Sequence, residues 1–278
     1  MKKQRIVILG SDSFIISNFL KEIEKDYNVI KISRKQVDLL KVNAKLKIKK
    51  IIKKNDIVIF AAAIAPVKNF DMLNQNLDIC INVYDSIKEL KIKYFMNIGS
   101  DAVYKDSLRR INENSKTSPN NLHGFMHLMR EKILSQLSCK KCFIRSTLVY
   151  GPGDPHNSYG PNSFLRLAQK QKNLSLFGKG EELRDHIFIT DIGKILKTIL
   201  KIKLTGIINL VSSKEKTFIT IAKKISKIYK VDLEFKKRKS PMPHRGIRIF
   251  SNKKLKKIMN NFYFTDIVDW IDRKERMK

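Results

Sequence analysis

Cysteine and long apolar stretches are both scarce in this sequence of 278 residues. With only three cysteines, a framework of disulfides is excluded and a reducing compartment is indicated. The longest apolar run, residues 57–67, is shorter than the roughly 20 residues that a membrane-spanning helix requires. The basic start is followed by an apolar run over residues 6–9 only, below the ~7 residues of a secretory signal. We therefore expect a cytoplasmic protein without a membrane span.

Acidic residues are few as well, 26 against 57 basic ones, so the net charge is +31. Only 13 of the basic residues are arginine, and the lysines are spread through every segment. Nucleic-acid-binding proteins more often concentrate basic residues on one face, with arginine and aromatic residues between them. The composition therefore argues against a nucleic-acid partner and is typical of compositional drift, with a role at a polyanion or membrane surface as the alternative. Phosphorylated substrates are attracted in either case.

The first half of the chain alternates short apolar runs with segments of helical apolar spacing, which predicts βαβ units and a parallel sheet. Turn clusters at 151–155 and 178–181 interrupt the second half. We therefore predict an α/β fold, with a Rossmann-type doubly wound parallel sheet at 1–150 and a smaller substrate lobe at 151–278. The predicted strands are 5–9, 27–32, 56–62, 94–98 and 142–149, and the predicted helices are 14–25, 42–54, 73–90, 123–136, 191–203 and 217–229.

The turn after the first strand carries a reduced glycine pattern. In dinucleotide-binding folds, glycines here allow a tight turn and a close approach to a pyrophosphate at a helix N-terminus. The residues present are Gly10, Ser13, Phe14, Ile15 and Ile16. This resembles the extended short-chain dehydrogenase/reductase family, in its nucleotide-sugar epimerase/dehydratase branch, which has G-x-x-G-x-x-G here. Ser13 and Ile16 stand at the second and third glycine positions, so a plain strand–turn–helix is the alternative.

The resemblance implies a set of cofactor contacts further along the chain. An acid at the end of the second strand binds a ribose diol, whereas an arginine accommodates a 2′-phosphate. The chain has Arg34 and Lys35 there and no acid, which favours NADP over NAD. Asp38 and Leu39 resemble the family's pair beside the adenine. The small residues that resemble the family's strand end along the cofactor are Ala61, Ala62 and Ala63.

The end of the fourth predicted strand resembles the family's Ser-Ser-x-x-Val-Tyr-Gly segment. Ser100 falls on the catalytic Ser/Thr that binds the sugar oxygen, and the adjacent Asp101 is interpreted as a substrate contact. The family's next element is Tyr-x-x-x-Lys on a helix, in which the tyrosine moves a proton and the lysine binds the nicotinamide ribose. His123 and His127 occupy these two positions.

Three interpretations of the histidine pair stay open. His123 replaces the tyrosine as acid and base, since an ordinary histidine pKa of ~6.5 suits proton transfer near neutrality, and a bridging water makes up for the shorter ring. Alternatively, two histidines at i and i+4 bind zinc, but Gly124 stands where His-Glu-x-x-His needs glutamate, so no metal is predicted. In the third interpretation the chemistry is lost and only binding remains.

The second half resembles the substrate lobe of the same family. Asn162 lies where the substrate helix begins, and Arg184 ends a Gly-x-Gly-x-x-x-Arg-Asp motif whose arginine contacts the nucleotide diphosphate. A planar guanidinium binds phosphate oxygens in bidentate fashion, and a local ion pair is the alternative role. Arg245 and Arg248 are both candidates for a second basic contact. We adopt Arg248 because it precedes Phe250 as the family's arginine precedes an aromatic residue.

The resemblance implies an NAD(P)-dependent epimerase or dehydratase that acts by hydride transfer at a sugar carbon, for precursors of surface polysaccharides. The partner is then a nucleotide-diphosphate sugar, and a homodimer is left open. An NADPH-dependent reductase of nucleotide keto-sugars is one alternative, favoured by the basic residues after the second strand. A non-catalytic homologue that binds nucleotide sugars is the other, favoured by the missing tyrosine and lysine.

Overall fold

The computed structural model describes residues 3–155 and 159–276. The chain forms two compact units. The first unit contains the residues up to Lys105 together with Glu113–Ser146 and Ile192–Asn209. The second contains Asp106–Asn112, Thr147–Asp191 and the residues from Leu210 onward. The division is therefore discontinuous, whereas the sequence suggested a single break after residue 150.

Strands and helices alternate through the first half of the chain, as the sequence predicts. The strands are β1 (Arg5–Leu9), β2 (Asn28–Ile32), β3 (Ile57–Phe60), β4 (Tyr94–Ser100), β5 (Lys141–Ser146), β6 (Leu148–Tyr150), β7 (Leu174–Phe177), β8 (Leu183–Arg184), β9 (His186–Phe188), β10 (Gly206–Leu210), β11 (Lys216–Thr217), β12 (Leu233–Lys236) and β13 (Ile247–Arg248). The α-helices are α1 (Phe14–Ile23), α2 (Ala44–Ile51), α3 (Phe70–Ile87), α4 (Leu122–Ser135), α5 (Pro161–Gln169), α6 (Ile189–Ile202), α7 (Phe218–Tyr229), α8 (Lys253–Ile258) and α9 (Ile267–Arg276). Short 3-10 helices lie at Asp101–Val103 and Pro243–Gly246.

A six-stranded sheet in the order β10-β5-β4-β3-β1-β2 forms the first unit. Strand β1 pairs in parallel with β2 and β3, and β4 pairs in parallel with β3 and β5. Val7 and Leu9 of β1 belong to one apolar cluster with residues of α2 and α3. Because strand side chains alternate, Ile6 and Ile8 face the other side, and they are also fully buried. Both faces of the sheet are thus covered, which confirms the predicted Rossmann-type fold.

The residues from 192 to 209 belong to the first unit because they pack on α1 and pair with β5. Gly193 of α6 lies against α1, where a Cβ would be 3.0 Å from the carbonyl oxygen of Asn18. Lys197 also forms an ion pair with Asp26 at 2.8 Å, and β10 extends the sheet beside β5. This helix and strand therefore complete one edge and one face of the sheet, although they follow the substrate segment in sequence.

The second unit has short strands around an aromatic core. Its small sheets have the orders β11-β8-β13, β12-β7 and β6-β9. The ring of Tyr159 lies about 5 Å from the rings of Phe164, Phe177 and Phe218. The predicted strand 142–149 is wrong in one respect, because β5 ends at Ser146 and β6 pairs instead with β9. Within the described ranges, every helix is too short or too polar to cross a membrane.

Candidate active site

The turn after β1 brings the start of α1 close to the end of β3. Gly10 has φ +89°, and a Cβ there would lie 2.4 Å from the backbone nitrogen of Ala62. Only glycine therefore fits this turn without moving β3. Ser13 caps α1 by accepting from the amide of Ile16 at 3.4 Å, and Ile16 itself is fully buried. The bulkier residue at the third glycine position is thus accommodated in the core.

A cleft of about 260 Å³ opens at the carboxyl ends of β1, β2 and β3, beside the first turn of α1. The side chains of Val37, Leu39 and Ile79 give it apolar walls. The predicted cofactor residues that line it are Gly10, Ser13, Arg34, Asp38, Leu39, Ala61, Ala62 and Ala63. Phe14, Ile15 and Lys35 are outside this lining. The first amides of a helix have no partner within the helix and attract anions, so the cleft fits the pyrophosphate and adenine of a dinucleotide.

Charges of both signs lie in the cleft. Arg34 is exposed, and its Nε lies 3.7 Å from Oδ2 of Asp38. Oδ1 of Asp38 accepts from the amide of Leu40 at 3.1 Å, which fixes the carboxylate. Asp12 adds a second acid. The cleft therefore offers a cation to a phosphate and carboxylates to hydroxyl groups.

Ser100 ends β4 and caps the 3-10 helix that follows. Its hydroxyl accepts from the amide of Ala102 at 3.2 Å, and Oδ1 of Asp101 lies 3.5 Å away. Helix α4 packs on this turn at Gly124, where a Cβ would be only 2.1 Å from the carbonyl oxygen of Ala102. The start of α4 with His123 is therefore held against the turn that carries Ser100.

The two histidines of α4 contact each other. The rings of His123 and His127 meet edge to face with centroids 4.7 Å apart. His123 is half-buried, whereas His127 is buried. Burial lowers the pKa of His127 well below its ordinary value, and the charge of Arg130 and the ring of His123 lower it further. His127 is therefore neutral near pH 7, and only His123 combines partial exposure with an imidazole.

A buried ion pair supports α4 from the sheet side. Arg145 of β5 binds Glu131 through two hydrogen bonds, at 2.9 and 2.6 Å, and its guanidinium lies 4.6 Å from the ring centroid of Tyr104. The Tyr104 hydroxyl donates to Oδ1 of Asn209 at 2.7 Å. These contacts connect β5, α4 and the segment after the 3-10 helix, and they keep the Ser100 turn in place.

Arg184, the predicted diphosphate contact, is buried and hydrogen-bonded within the second unit. Its Nη1 donates to the carbonyl oxygens of Leu183 and Gly246 at 3.0 and 2.9 Å. Its Nη2 donates to the carbonyl oxygen of Pro243 at 2.9 Å and to Oε2 of Glu182 at 3.0 Å. A bound diphosphate would have to share or displace these partners.

The second predicted arginine is also paired. Nη1 of buried Arg248 lies 3.3 Å from Oδ1 of Asp106, and Nδ1 of His244 lies 2.6 Å from the same oxygen. Arg245 is exposed instead, in the left-handed region with φ +52°. Of the two candidates, Arg245 is therefore the cation that faces solvent and Arg248 the one held by a carboxylate.

Asn162 lies at the start of α5, where the sequence predicts that a helix begins. Its Nδ2 donates to Oδ2 of Asp154 and to the carbonyl oxygen of Val149, and its Oδ1 accepts from the amide of Gly151. The amide thus closes the turn that follows β6. The sequence analysis did not predict the carboxylates that bind the two arginines, Asp106 for Arg248 and Glu182 for Arg184. Only Glu182 could have been found, because residues two apart in a strand lie on the same face.

A cleft at the carboxyl ends of parallel strands is where doubly wound sheets bind nucleotides, so the first unit is of the dinucleotide-binding α/β class. The sequence matches the NAD dependent epimerase/dehydratase family over residues 6–210, and the chain belongs to that family. The resemblance that the motifs indicated is confirmed. The match begins in β1 and ends in β10, so it includes Ser100, both histidines and Arg184.

Two curated relatives show the range of named activities. The chain is 23% identical over 230 residues to an "Uncharacterized UDP-glucose epimerase YtcB" of Bacillus subtilis, with 70% of this chain and 72% of that protein covered. It is 25% identical over 162 residues to the dTDP-D-glucose 4,6-dehydratase of Homo sapiens, with 54% of this chain and 46% of that protein covered.

Solved structures share the fold over the whole chain. The UDP-N-acetylglucosamine 4-epimerase of Methanobrevibacter ruminantium, in complex with UDP-N-acetylmuramic acid, has a TM-score of 0.82 at 20% identity and covers 99% of this chain and 100% of its own. The UDP-glucose 4-epimerase of Thermus thermophilus, in complex with NAD, has a TM-score of 0.83 at 18% identity and covers 98% and 99%.

Proposed function

We propose that this protein is an NAD(P)-dependent enzyme that acts on a UDP-sugar by hydride transfer at a sugar carbon. The observation that carries the proposal is the packing of α4 on the Ser100 turn at Gly124. This contact holds a serine hydroxyl and a half-buried imidazole on adjoining elements. The named relatives act on nucleotide sugars, which supports that class of substrate.

In this proposal, the Ser100 hydroxyl binds the reacting sugar oxygen and His123 moves its proton. A bound nicotinamide dinucleotide supplies the hydride acceptor and donor. His127, buried and neutral, supports the His123 ring by the edge-to-face contact. The cleft beside α1 holds the dinucleotide, and the second unit binds the nucleotide part of the sugar through basic residues: Arg184, Arg248 or the exposed Arg245. Asp101, beside Ser100, and Asn162 stay proposed substrate contacts.

The decisive experiment compares turnover of UDP-sugars, with NAD or NADP added, by wild type and His123→Phe. Loss of a positioned proton-transfer group lowers turnover by about 10²–10⁴-fold, while nucleotide-sugar affinity changes little. Lys132→Ala, at an exposed site of the same helix, is the matched control and retains turnover. Activity that His123→Phe leaves intact would rule out this mechanism but not the enzyme class.

A non-catalytic binding role is the second candidate, and the neutral, buried state of His127 favours it. A group in this state supplies no charge to a reacting oxygen or a cofactor. This alternative predicts that wild type binds UDP-sugars but converts none of a panel, in either cofactor. Product analysis of the same panel separates epimerase, dehydratase and reductase, and it tests a role in polysaccharide precursors.

A preference for NADP over NAD is part of the proposal. Arg34 is exposed in the cleft lining and the end of β2 carries no acid, which suits a 2′-phosphate. Calorimetry should give tighter binding of NADPH than of NADH, and Arg34→Ala should abolish the difference. Equal affinities in wild type would refute the preference, and Asp38 would then be the ribose contact.

Assembly and location are further parts of the proposal. Helices α3 and α4 expose Phe70, Ile81 and Phe125, which supports a homodimer. Light scattering of the purified protein tests this, since a monomer at high concentration would refute it. The cysteines are free thiols, which supports a reducing compartment such as the cytoplasm and is tested by cell fractionation.

A further inference from the structure

Arg130, on α4, is a charged side chain that the proposed mechanism does not use. It is 1% exposed and stands first in size among the fully buried side chains. Its Nη1 donates to the carbonyl oxygen of Ala62 at 2.9 Å and its Nη2 to Oδ1 of Asn97 at 3.0 Å. The guanidinium carbon lies 4.1 Å from the ring centroid of Phe60. Arg130 thus joins α4 to β3, to the cleft lining after it and to β4.

The carboxylate beside Arg130 in sequence, Glu131, forms its ion pair with Arg145 and acts on Arg130 by its charge alone. Both hydrogen bonds of its guanidinium go to neutral oxygens, while Glu131 is bound by Arg145 at 2.6 Å. Burial lowers the pKa of Arg130 to about 10, so the side chain is still a cation at neutral pH. An uncompensated buried charge costs several kcal/mol. A charge that is kept in the core at this cost indicates that it acts on a neighbouring side chain.

The neighbouring group is the histidine pair. Residues 123, 127 and 130 follow the i, i+4, i+7 spacing of one helix face. In the described part of the chain, Nδ1 of His127, Nδ2 of Asn97 and Nε of Arg130 are buried without a hydrogen-bond partner. A Cβ on Gly99 would lie 3.4 Å from that Asn97 nitrogen and 3.7 Å from that His127 nitrogen. Two of these groups, on Asn97 and His127, therefore lie beside the backbone directly before Ser100.

The charge of Arg130 acts on His127 and also on the thiol of Cys80. After burial, the charge of Arg130 is the next cause that lowers the pKa of His127, ahead of the ring of His123. Around this face, Cys80 from α3 and Glu131 from α4 act electrostatically on Arg130, and Asp101 lies in the 3-10 helix that packs on α4. Cys80 is itself fully buried, and burial raises the pKa of its thiol to about 11, so it stays neutral.

We propose that Arg130 is a positioning residue: a fixed buried cation that holds α4 to β3 and β4 and, from the helix face that carries the histidine pair, disfavours a further positive charge there. The proposal rests on the proposed function, because an uncharged His127 matters only if His123 moves the substrate proton. A protonated His127 would repel a proton arriving on the adjacent ring.

The experiment separates charge from shape by four variants. Arg130→Gln removes the cation, Asn97→Asp pairs it with a carboxylate in the same geometry, and Arg130→Lys retains it. Lys132→Gln removes an exposed cation from the same helix as a control. The measurement is the protonation of His127, followed by ¹⁵N NMR of the free protein against pH.

We expect the titration midpoint of His127 to rise by about one pH unit or more in Arg130→Gln and Asn97→Asp, because a nearby like charge is removed or compensated. Arg130→Lys and Lys132→Gln should titrate as wild type. Where substrate turnover is measured, its acid limb should move in the same direction.

An unchanged titration midpoint of His127 in folded Arg130→Gln and folded Asn97→Asp would overturn the proposal. Arg130 would then have a structural role only. If Arg130→Gln does not fold, Asn97→Asp is measured in its place, since it keeps the size of the side chain and the acceptor oxygen. A His127 midpoint that stays unchanged beside the paired Arg130 overturns the proposal, and a midpoint that rises more than the new carboxylate at position 97 alone produces in Asn97→Asp with Arg130→Lys supports it. Failure of the proposed function gives a different result. Wild type would then show no turnover, while the shift of the His127 midpoint would persist.

Discussion

Arg184 has its hydrogen bonds inside the second unit, and this decides what its removal does. Arg184→Ala leaves the buried carboxylate of Glu182 with Arg238 alone and removes the donors of two loop carbonyls. Breaking a buried ion pair costs about 3–5 kcal/mol, and the remaining Arg238 keeps the expected loss near 3 kcal/mol. The free energy of unfolding in urea measures it.

Arg245→Ala is the control for that variant, because the side chain is an exposed cation in the adjoining loop. Its effect on stability should stay within about 0.5 kcal/mol. A urea midpoint that Arg184→Ala does not lower would show that the guanidinium is free for a ligand in solution. In that case, the role that the sequence motif predicts, a contact to the nucleotide diphosphate, would be favoured over a structural role.

Asp185 should make stability depend on pH. Burial raises the pKa of Asp185 to about 7, against the amides of Ser212 and Ser213, which favour the charged carboxylate. The folded state therefore binds a proton that the unfolded state releases near pH 4. Its contribution to stability is complete below pH ~4 and is lost as the pH rises towards about 7.

The buried histidines act in the opposite direction, so a difference measurement is needed. Burial lowers the pKa of His186 to about 3, and an imidazole kept neutral by folding loses stability as pH falls below ~6.5. Asp185→Asn cannot ionise, and both proteins share the histidines. The unfolding free energy of wild type minus that of Asp185→Asn should therefore decrease as the pH rises from 4 to 7. A difference that stays constant over this window would show that Asp185 is charged in the folded state.

The sequence predicts side chains well where a motif is local. Ser100 and Gly10 lie where the strand ends require a cap and a left-handed turn, and each signal extends over a few residues. The partners of the charged residues were not predictable in this way. Asp106 is 142 positions from Arg248, and Asn97 meets Arg130 only because β4 and α4 pack together. Such pairs depend on tertiary structure, and no local spacing encodes them.

At the scale of elements, the predictions are accurate where apolar periodicity is strong. Strand β1 has the predicted bounds, and α4 and α7 begin and end within about two residues of them, as expected for frayed ends. The second unit was much less predictable. Its strands β8, β11 and β13 have two residues each and pair across long stretches of chain, so no alternation could reveal them.

The packing of α4 on the 3-10 helix gives a prediction for an element. In Gly124→Ala, the new Cβ meets the Ala102 carbonyl at 2.1 Å and Cβ of Pro119 at 2.7 Å, so the helix must move. Overpacking of this kind costs about 1–3 kcal/mol, and a displacement of ~1 Å can lower turnover by about 10²-fold. Enzyme assays and urea denaturation of the same preparations measure both effects.

Gly206→Ala is the contrasting variant. It lies at φ +87° with no atom within 4 Å of a Cβ, so it is strained but not crowded. It should lose roughly 1–2 kcal/mol of stability and keep its turnover. Equal turnover in both variants would mean that the position of α4 against the Ser100 turn has no part in catalysis.

At the scale of the whole molecule, the sequence predicted two parts but not their discontinuous course. The chain enters the second unit at Thr147, a few residues before the turn cluster at 151–155, so the predicted break lies close to a real change of architecture. The return of residues 192–209 to the first sheet could not be predicted from local signals. An apolar helix and strand suit either unit equally well, and packing against α1 and β5 decides the outcome.

The net charge of +31 belongs to the whole chain and predicts a response to salt. Between residues 41 and 54 there are seven lysines and no acid. Lys45 and Lys49 have partners in Asp85 and Glu89, but the neighbouring lysines of this stretch project into solvent. The repulsion among like charges destabilises the compact state, and added salt screens it.

We therefore expect the melting temperature to rise by about 2–4 °C, equivalent to about 1 kcal/mol, as salt shortens the Debye length from ~30 Å to ~10 Å. Replacing Lys41, Lys47, Lys50, Lys53 and Lys54 by glutamine should raise the melting temperature at low salt and reduce its further rise. Calorimetry with chloride and fluoride salts distinguishes screening from the binding of one anion. A melting temperature that falls with salt would mean that the surface ion pairs outweigh the excess of positive charge.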